Sequence, residues 1–259
     1  MIDLSNENVI HVRKDGIEFL QFRKLLQYSD KLTHCYTLKP IDLKEKYKDD
    51  INYKKICNAL DLDFNNVVMP NQTHTNNVGI VYKESQSHDF KETDGLITNE
   101  KNKVLSAVFA DCTSLFLYDP VKNAIGNIHS GWKGTVKEIG CVAVEKMQKE
   151  YGTNPENLIC CIGPTIRKCH FEVEDDVKDI FLNVFKDKSI ITNDGIINGK
   201  NKYHIDSVKA NINMLKKCGL KDENIIDSGI CTVCNNEILH SYRCEREFSG
   251  RNGAIIAIK

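Results

Sequence analysis

A chain of 259 residues, 41% hydrophobic and 27% charged, has the make-up of a globular protein that can bury a sizeable core without a structural metal or disulfides. Its 35 basic residues stand against 36 acidic ones, a formal net charge of −1, so no long-range field favours nucleic acid or an anionic membrane. The polar opening Met1-Ile2-Asp3-Leu4-Ser5-Asn6-Glu7-Asn8 lacks the basic start and apolar run of a secretory signal, and no stretch reaches membrane-span length, so a cytoplasmic location is expected.

Residues 1–60 are lysine-rich and read as helical. Beyond residue 66, short apolar strands alternate with amphipathic helices. Val104–Ala110 reads as a buried strand running into Asp111-Cys112, Ser114–Tyr118 as a second ending at Asp119-Pro120, and Ala124–His129 as a third stopped by Gly131. Thr135 is expected to cap a helix with Val136, Ile139, Ala143 and Met147 inward and Gly152 at its end. Leu158–Ile162 returns as a strand, and Asp175–Phe185 as a helix with Val177, Ile180, Phe181 and Val184 on one side. Asp206 caps a last helix carrying Val208, Ile212 and Leu215 inward to Gly219, before a closing strand, Ala254–Ile258. No repeat or linker interrupts this order, which predicts a single domain over 1–259 of the α/β (α+β) class.

Three polar clusters fall at predicted strand ends: Gln72-Thr73-His74, Asp111-Cys112-Thr113 and the run His129 to Thr135. Such positions combine a rigid scaffold with access to ligand. His74, Cys112 and His129 form an N/S donor set suited to zinc, and three protein ligands leave a fourth position open. Spacing alone does not distinguish this from a surface histidine and a core cysteine. Asp111 before Cys112 puts a carboxylate at the mouth of a buried strand, where it must be paired or used; a helix cap or turn residue is the alternative reading. Gly131 and Gly134 around Trp132 and Lys133 allow backbone N–H groups to approach an anion, or only a tight turn.

Most of the 11 cysteines are expected to be core thiols. Cys231-x-x-Cys234 with His240 and Cys244 could form a zinc knuckle, but the spacing is compact and Ile230–Val233 reads as strand, which favours core cysteines and a loop. Arg243 and Arg251 are late-chain cations able to reach an anionic substrate.

The sequence resembles the YfiH-type family, also called laccase-domain or multicopper polyphenol oxidase proteins. The shared blocks are Gln72-Thr73-His74, Asp94 to Thr98, Ala110-Asp111-Cys112, His129 to Thr135, Ile162-Gly163-Pro164, Phe171-Glu172-Val173, Cys231-Thr232 and Ser241-Tyr242-Arg243. The resemblance implies a single-domain α/β/β/α sandwich with mixed sheets and one catalytic zinc on His74, Cys112 and His129. It also implies phosphorolysis of adenosine, inosine, guanosine or methylthioadenosine, and deamination of adenosine. One His-Cys-His set cannot build the several copper centres of a multicopper oxidase, although it would accept copper in place of zinc. The family's N-terminal arginine and paired glycines are missing from Thr33 to Pro40; Ser130 and Lys133 stand where alanine and arginine are usual, and Ser114 where proline is usual.

On this reading purine nucleosides and phosphate are the partners, with no nucleic acid, membrane or obligate protein partner. Asp111 is the expected proton shuttle, and Lys133, Arg243 and Arg251 the expected substrate contacts. Rival readings are a cysteine hydrolase using Cys112 and His129, a copper oxidase, and a metal-dependent assembly factor without catalysis.

Overall fold

The computed structural model describes residues 2–44 and 50–259. In chain order the first strands are β1 (Val9–Lys14), β2 (Ile17–Phe22), β3 (Leu32–Thr37), β4 (Val67–Val68) and β5 (Val78–Ile80). Next come β6 (Gly95–Thr98), β7 (Val104–Phe109), β8 (Thr113–Asp119), β9 (Ala124–Ser130) and β10 (Ile159–Ile162). The last five are β11 (Glu172–Val173), β12 (Ile191–Ile197), β13 (Lys200–Ile205), β14 (Ile225–Asp227) and β15 (Asn252–Ile258). Two six-stranded mixed sheets, β1-β2-β3-β15-β7-β4 and β14-β10-β8-β9-β6-β5, pack face to face, and β11-β13-β12 form a smaller third sheet.

The strands that the sequence shows as unbroken apolar runs are buried on both faces, and residue parity decides which layer each side chain enters. In β7, Leu105, Ala107 and Phe109 enter the core between the two large sheets, whereas Val104 and Val108 face the opposite layer. In β8, Phe116 and Tyr118 join the same central core while Leu115 and Leu117 turn outward. Strand β15 divides likewise: Ala254, Ile256 and Ile258 on one side, Ile255 and Ala257 on the other.

Helices cover the two outer faces. At the first sheet, α1 (Arg23–Leu26) is a single turn whose Leu25 enters the central core, whereas on the outer face α2 (Asp50–Ala59) packs Tyr53 and Ile56 against Val104 and Ile255. On the second sheet lie α3 (Trp132–Val136), α4 (Ile139–Tyr151) and, after α5 (Asp175–Phe185) beside the third sheet, α6 (Ser207–Lys217). A last turn, α7 (Tyr242–Glu245), precedes β15. This is the expected α/β/β/α layering of mixed sheets. Helix α4 buries Ile139, Ala143 and Met147 at four-residue spacing and ends on left-handed Gly152, and Asp206 caps α6 by accepting from the Lys209 N–H at 2.9 Å, as the sequence indicates.

Several expectations are corrected. Residues 1–60 are not helical throughout: the described part carries β1, β2 and β3 before the helix α2, and residues 1 and 45–49 lie outside the described residues. Thr135 does not cap a long helix: α3 starts at Trp132 behind Gly131, and α4 restarts after left-handed Glu138 (φ 54°). The Thr135 hydroxyl turns inward, 2.8 Å from Ser130 Oγ, and Ser130 Oγ also donates to Asn211 Oδ1 at 2.9 Å. Partners from α3 and α6 thus accommodate a serine where the family usually has alanine. On α5 only Phe181 is buried; Ile180 and Val184 are exposed. Ile230–Val233 is not a strand: it holds a single bridge, between Thr165 and Cys231, and a turn begins at Thr232. Of the core thiols, Cys141 and Cys218 are joined as a disulfide, while Cys169, Cys234 and Cys244 are exposed.

Candidate metal centre and its cavity

Strand pairing assembles the site. Strands β6, β9 and β8 are neighbours, with Gly95 opposite Ile128 and Ser114 opposite His129. That register puts Asp94 (just before β6), His129 (near the end of β9) and Cys112 (just before β8) at adjacent strand ends. His74 arrives on the loop between β4 and β5. Its Nε2 lies 3.8 Å from Cys112 Sγ, its ring centroid 4.9 Å from that of His129, and ligand atoms of all three residues fall within 4.8 Å of one another.

Asp94, in a shared block but given no role by the sequence, organises both histidines. It is fully buried. Its Oδ1 accepts from the His74 N–H at 2.9 Å and from His129 Nδ1 at 2.8 Å. Its Oδ2 accepts from the Thr73 and Thr75 N–H groups at 3.2 and 2.7 Å, and from the Thr75 hydroxyl at 2.8 Å. Burial works against its charge, but these donors hold it well below the usual carboxylate range. With Nδ1 committed to Asp94, His129 has Nε2 left as a ligand atom, the arrangement that fixes metal-bound histidines elsewhere. His74 itself is left-handed (φ 62°), a conformation this set of hydrogen bonds must sustain.

The donors are also electronically prepared. Burial alone would raise the Cys112 thiol; adjacent His129 and hydrogen bonds from both histidines outweigh it and bring it down to about 6. Burial would lower His129, yet Cys112 and Asp94 raise it to about 9. Both shifts favour separated charges on Cys112 and His129 when no metal is bound. Gly131 leaves the space: a Cβ there would sit 2.8 Å from His74 Cδ2, 3.2 Å from Cys112 Sγ and 3.4 Å from His129 Cε1. Two imidazoles, a ready thiolate and a cleared approach fit a zinc ion with three protein ligands.

These residues open on a cavity of about 620 Å³, lined also by Asp111, Trp132, Phe171, Tyr242, Arg243 and Arg251. Left-handed Asp111 (φ 78°) is held at both carboxylate oxygens, Oδ1 by the Thr232 hydroxyl and Oδ2 by the Arg243 N–H, each at 2.6 Å. Arg243 reaches the His170 and Glu172 carbonyls at 2.7 and 3.1 Å, and Arg251 Nη1 the Ser249 and Gly250 carbonyls at 2.9 and 2.8 Å. Each guanidinium keeps further N–H donors. Lys133 is not brought to the cavity: it is exposed, with its ammonium 5.6 Å from the Trp132 ring centroid. Lys44, unremarked in the sequence, lines the cavity instead. His240 is buried elsewhere, its Nε2 3.0 Å from the Ile41 carbonyl oxygen.

Residues 42–259 match the family described as multi-copper polyphenol oxidoreductase laccase. The chain is 34% identical over 215 residues to the purine nucleoside phosphorylase YlmD of Bacillus subtilis, covering 80% of this chain and 76% of that protein. It is 33% identical over 224 residues to a purine nucleoside phosphorylase of Borreliella burgdorferi, covering 85% and 90%. In three dimensions it resembles the crystal structure of the Bacillus licheniformis hypothetical protein YfiH, with a TM-score of 0.85 at 27% identity over 95% of this chain and 98% of that one. The chain belongs to this laccase-domain, YfiH-type family.

Proposed function

We propose that this protein is a zinc-dependent purine nucleoside enzyme that phosphorolyses adenosine, inosine, guanosine or methylthioadenosine and deaminates adenosine. The observation that carries the reading is the meeting of His74, Cys112 and His129 in a cavity that Arg243 and Arg251 also line. The names of relatives at 33–34% identity support the substrate class. When bound to the three side chains, zinc would supply Lewis-acid activation at its open fourth position.

In phosphorolysis a phosphate oxygen forms a bond to the anomeric carbon, the glycosidic C–N bond breaks, and its electron pair leaves on the purine, which takes up a proton. Arg243 and Arg251 both line the cavity, and their remaining N–H donors bind the phosphate dianion. The rings of Trp132, Phe171 and Tyr242 offer flat apolar surface to the base. In deamination water adds at C6 and ammonia leaves, so protons must be carried to the ring and to the amino group. Asp111, on the cavity wall with one hydrogen bond at each oxygen, is the proton carrier.

The test supplies adenosine to metal-analysed protein with and without phosphate, and quantifies adenine, inosine and ammonia for wild type and Cys112→Ala. Adenine that depends on phosphate, or inosine that does not, should appear with wild type and disappear in the variant. If zinc-loaded protein turns over no purine nucleoside, the reading fails.

One observation favours a second reading. Asp94, His129 and Cys112 stand in hydrogen-bonding sequence, with the thiol lowered to about 6, as a cysteine hydrolase requires. Activity that survives chelation of all metal would select it.

A further inference from the structure

A second group of donors plays no part in the chemistry above. Cys169 and His170 lie just before β11, and Cys231 and Cys234 in the turn after β14. The Cys169 sulfur is 3.7 Å from that of Cys231 and 3.8 Å from that of Cys234. His170 Nδ1 is 3.2, 3.7 and 3.5 Å from the sulfurs of Cys169, Cys231 and Cys234. A tetrahedron with Zn–S of about 2.3 Å and Zn–N of about 2.1 Å has S–S edges of about 3.8 Å and S–N edges of about 3.6 Å. All five separations agree with it to within about 0.4 Å. The sulfurs are too far apart to be bonded in pairs, which takes about 2.0 Å.

We infer that Cys169, His170, Cys231 and Cys234 form a closed structural zinc site, separate from the open His74–Cys112–His129 set. Four protein ligands leave no position for substrate. The Cys-x-x-Cys half is the one visible in the sequence; its partners are Cys169 and His170 rather than His240 and Cys244. The ion clips together two segments already bridged at Thr165 and Cys231. Both segments shape the cavity. Thr232, next to Cys231, donates to Asp111, and Arg243 grips the His170 carbonyl while its own N–H holds the other Asp111 oxygen. The site therefore sets the wall that carries Asp111, Phe171 and Arg243.

The test uses full-length Cys112→Ala, which lacks the sulfur donor of the His74–Cys112–His129 set, purified under reducing conditions. It should retain about one zinc per chain and, on exchange into cobalt, show the intense thiolate-to-cobalt charge transfer of a tetrahedral site. Adding Cys234→Ser should abolish both signals and lower Tm by several degrees, whereas Cys234→His should restore the metal. Soluble, reduced Cys112→Ala that takes up no zinc or cobalt would overturn the inference. So would an intact mass showing a disulfide among Cys169, Cys231 and Cys234 in freshly purified protein. Neither result depends on nucleoside turnover, so this inference and the proposed activity fail separately.

Discussion

At the scale of single residues, the candidate metal centre is shaped by two positions that supply no donor. Gly131 has φ −63° and ψ 165°, a backbone any residue can adopt, so Gly131→Ala costs nothing in conformation. Its methyl group, however, would enter the space between the three donors. The variant should fold, with the donors pushed apart, and lose most of its cavity metal, measured as zinc content after dialysis. Normal zinc affinity in Gly131→Ala would show that the three residues do not converge on an ion. Asp94→Asn tests orientation instead. The amide cannot serve as acceptor for five donors at once, so His74 and His129 lose their fixed poses, and zinc affinity should fall about 10- to 100-fold. Equal affinity in competition with a chromogenic chelator would remove Asp94 from the site. The sequence displays His74, Cys112 and His129 in recognisable blocks. It hides Asp94 because a buried carboxylate before a strand and a surface turn residue are written with the same letter.

At the scale of elements, legibility follows burial. Strands β7, β8, β9, β10 and β15 read correctly because burial on both faces leaves continuous apolar runs. The sheet edge was less visible. Strand β1 carries His11, Arg13 and Lys14, whose charges suggest a solvated helix, yet Asp15-Gly16 is a two-residue turn with φ 53° and 77° that joins Lys14 to Ile17. Asn198-Gly199 (φ 51° and 76°) does the same between β12 and β13. Both dipeptides favour the left-handed turn that matches strand twist, and are the local signal for these hairpins. Covalent pairing escapes local reading altogether: Cys141 in α4 and Cys218 after α6 are 77 residues apart. Closing a loop of that size restricts the unfolded chain, and removing the bond should cost roughly 2–4 kcal/mol. A reductant should therefore lower the Tm of wild type and leave Cys141→Ser/Cys218→Ser unmoved. If wild type is equally insensitive, the pair does not stabilise the fold.

At the scale of the whole molecule, apolar patterning sufficed for the class, and the resemblance to the family supplied the layering and the cavity. No helix among the described residues is long and apolar enough to cross a membrane. What patterning could not disclose is how polar groups are carried inside the sandwich. His34 is the clearest case. It is buried in β3, its Nε2 accepts the Phe22 N–H at 2.7 Å, and its ring packs against Phe22 and Phe116 with centroids 6.2 and 6.1 Å away. Burial pushes it from the ordinary 6.5 down to about 3, so the folded protein keeps the ring neutral. The unfolded chain takes up a proton below about 6.5, which the folded chain refuses until near 3. Stability is thus fully present above the ordinary value and is lost as pH falls through this window, by roughly 2 kcal/mol at pH 5. His129 works in the opposite sense, because its raised value contributes stability that is lost as pH rises through about 9. Comparing urea midpoints of metal-free wild type and His34→Gln at pH 7 and pH 5 isolates the former. The variant should be less stable at pH 7, where it has lost packing, and should lose distinctly less than wild type on going to pH 5. Parallel losses in the two proteins would mean that His34 exchanges its proton with solvent in the folded state, and that the sandwich around it is looser than its packing indicates.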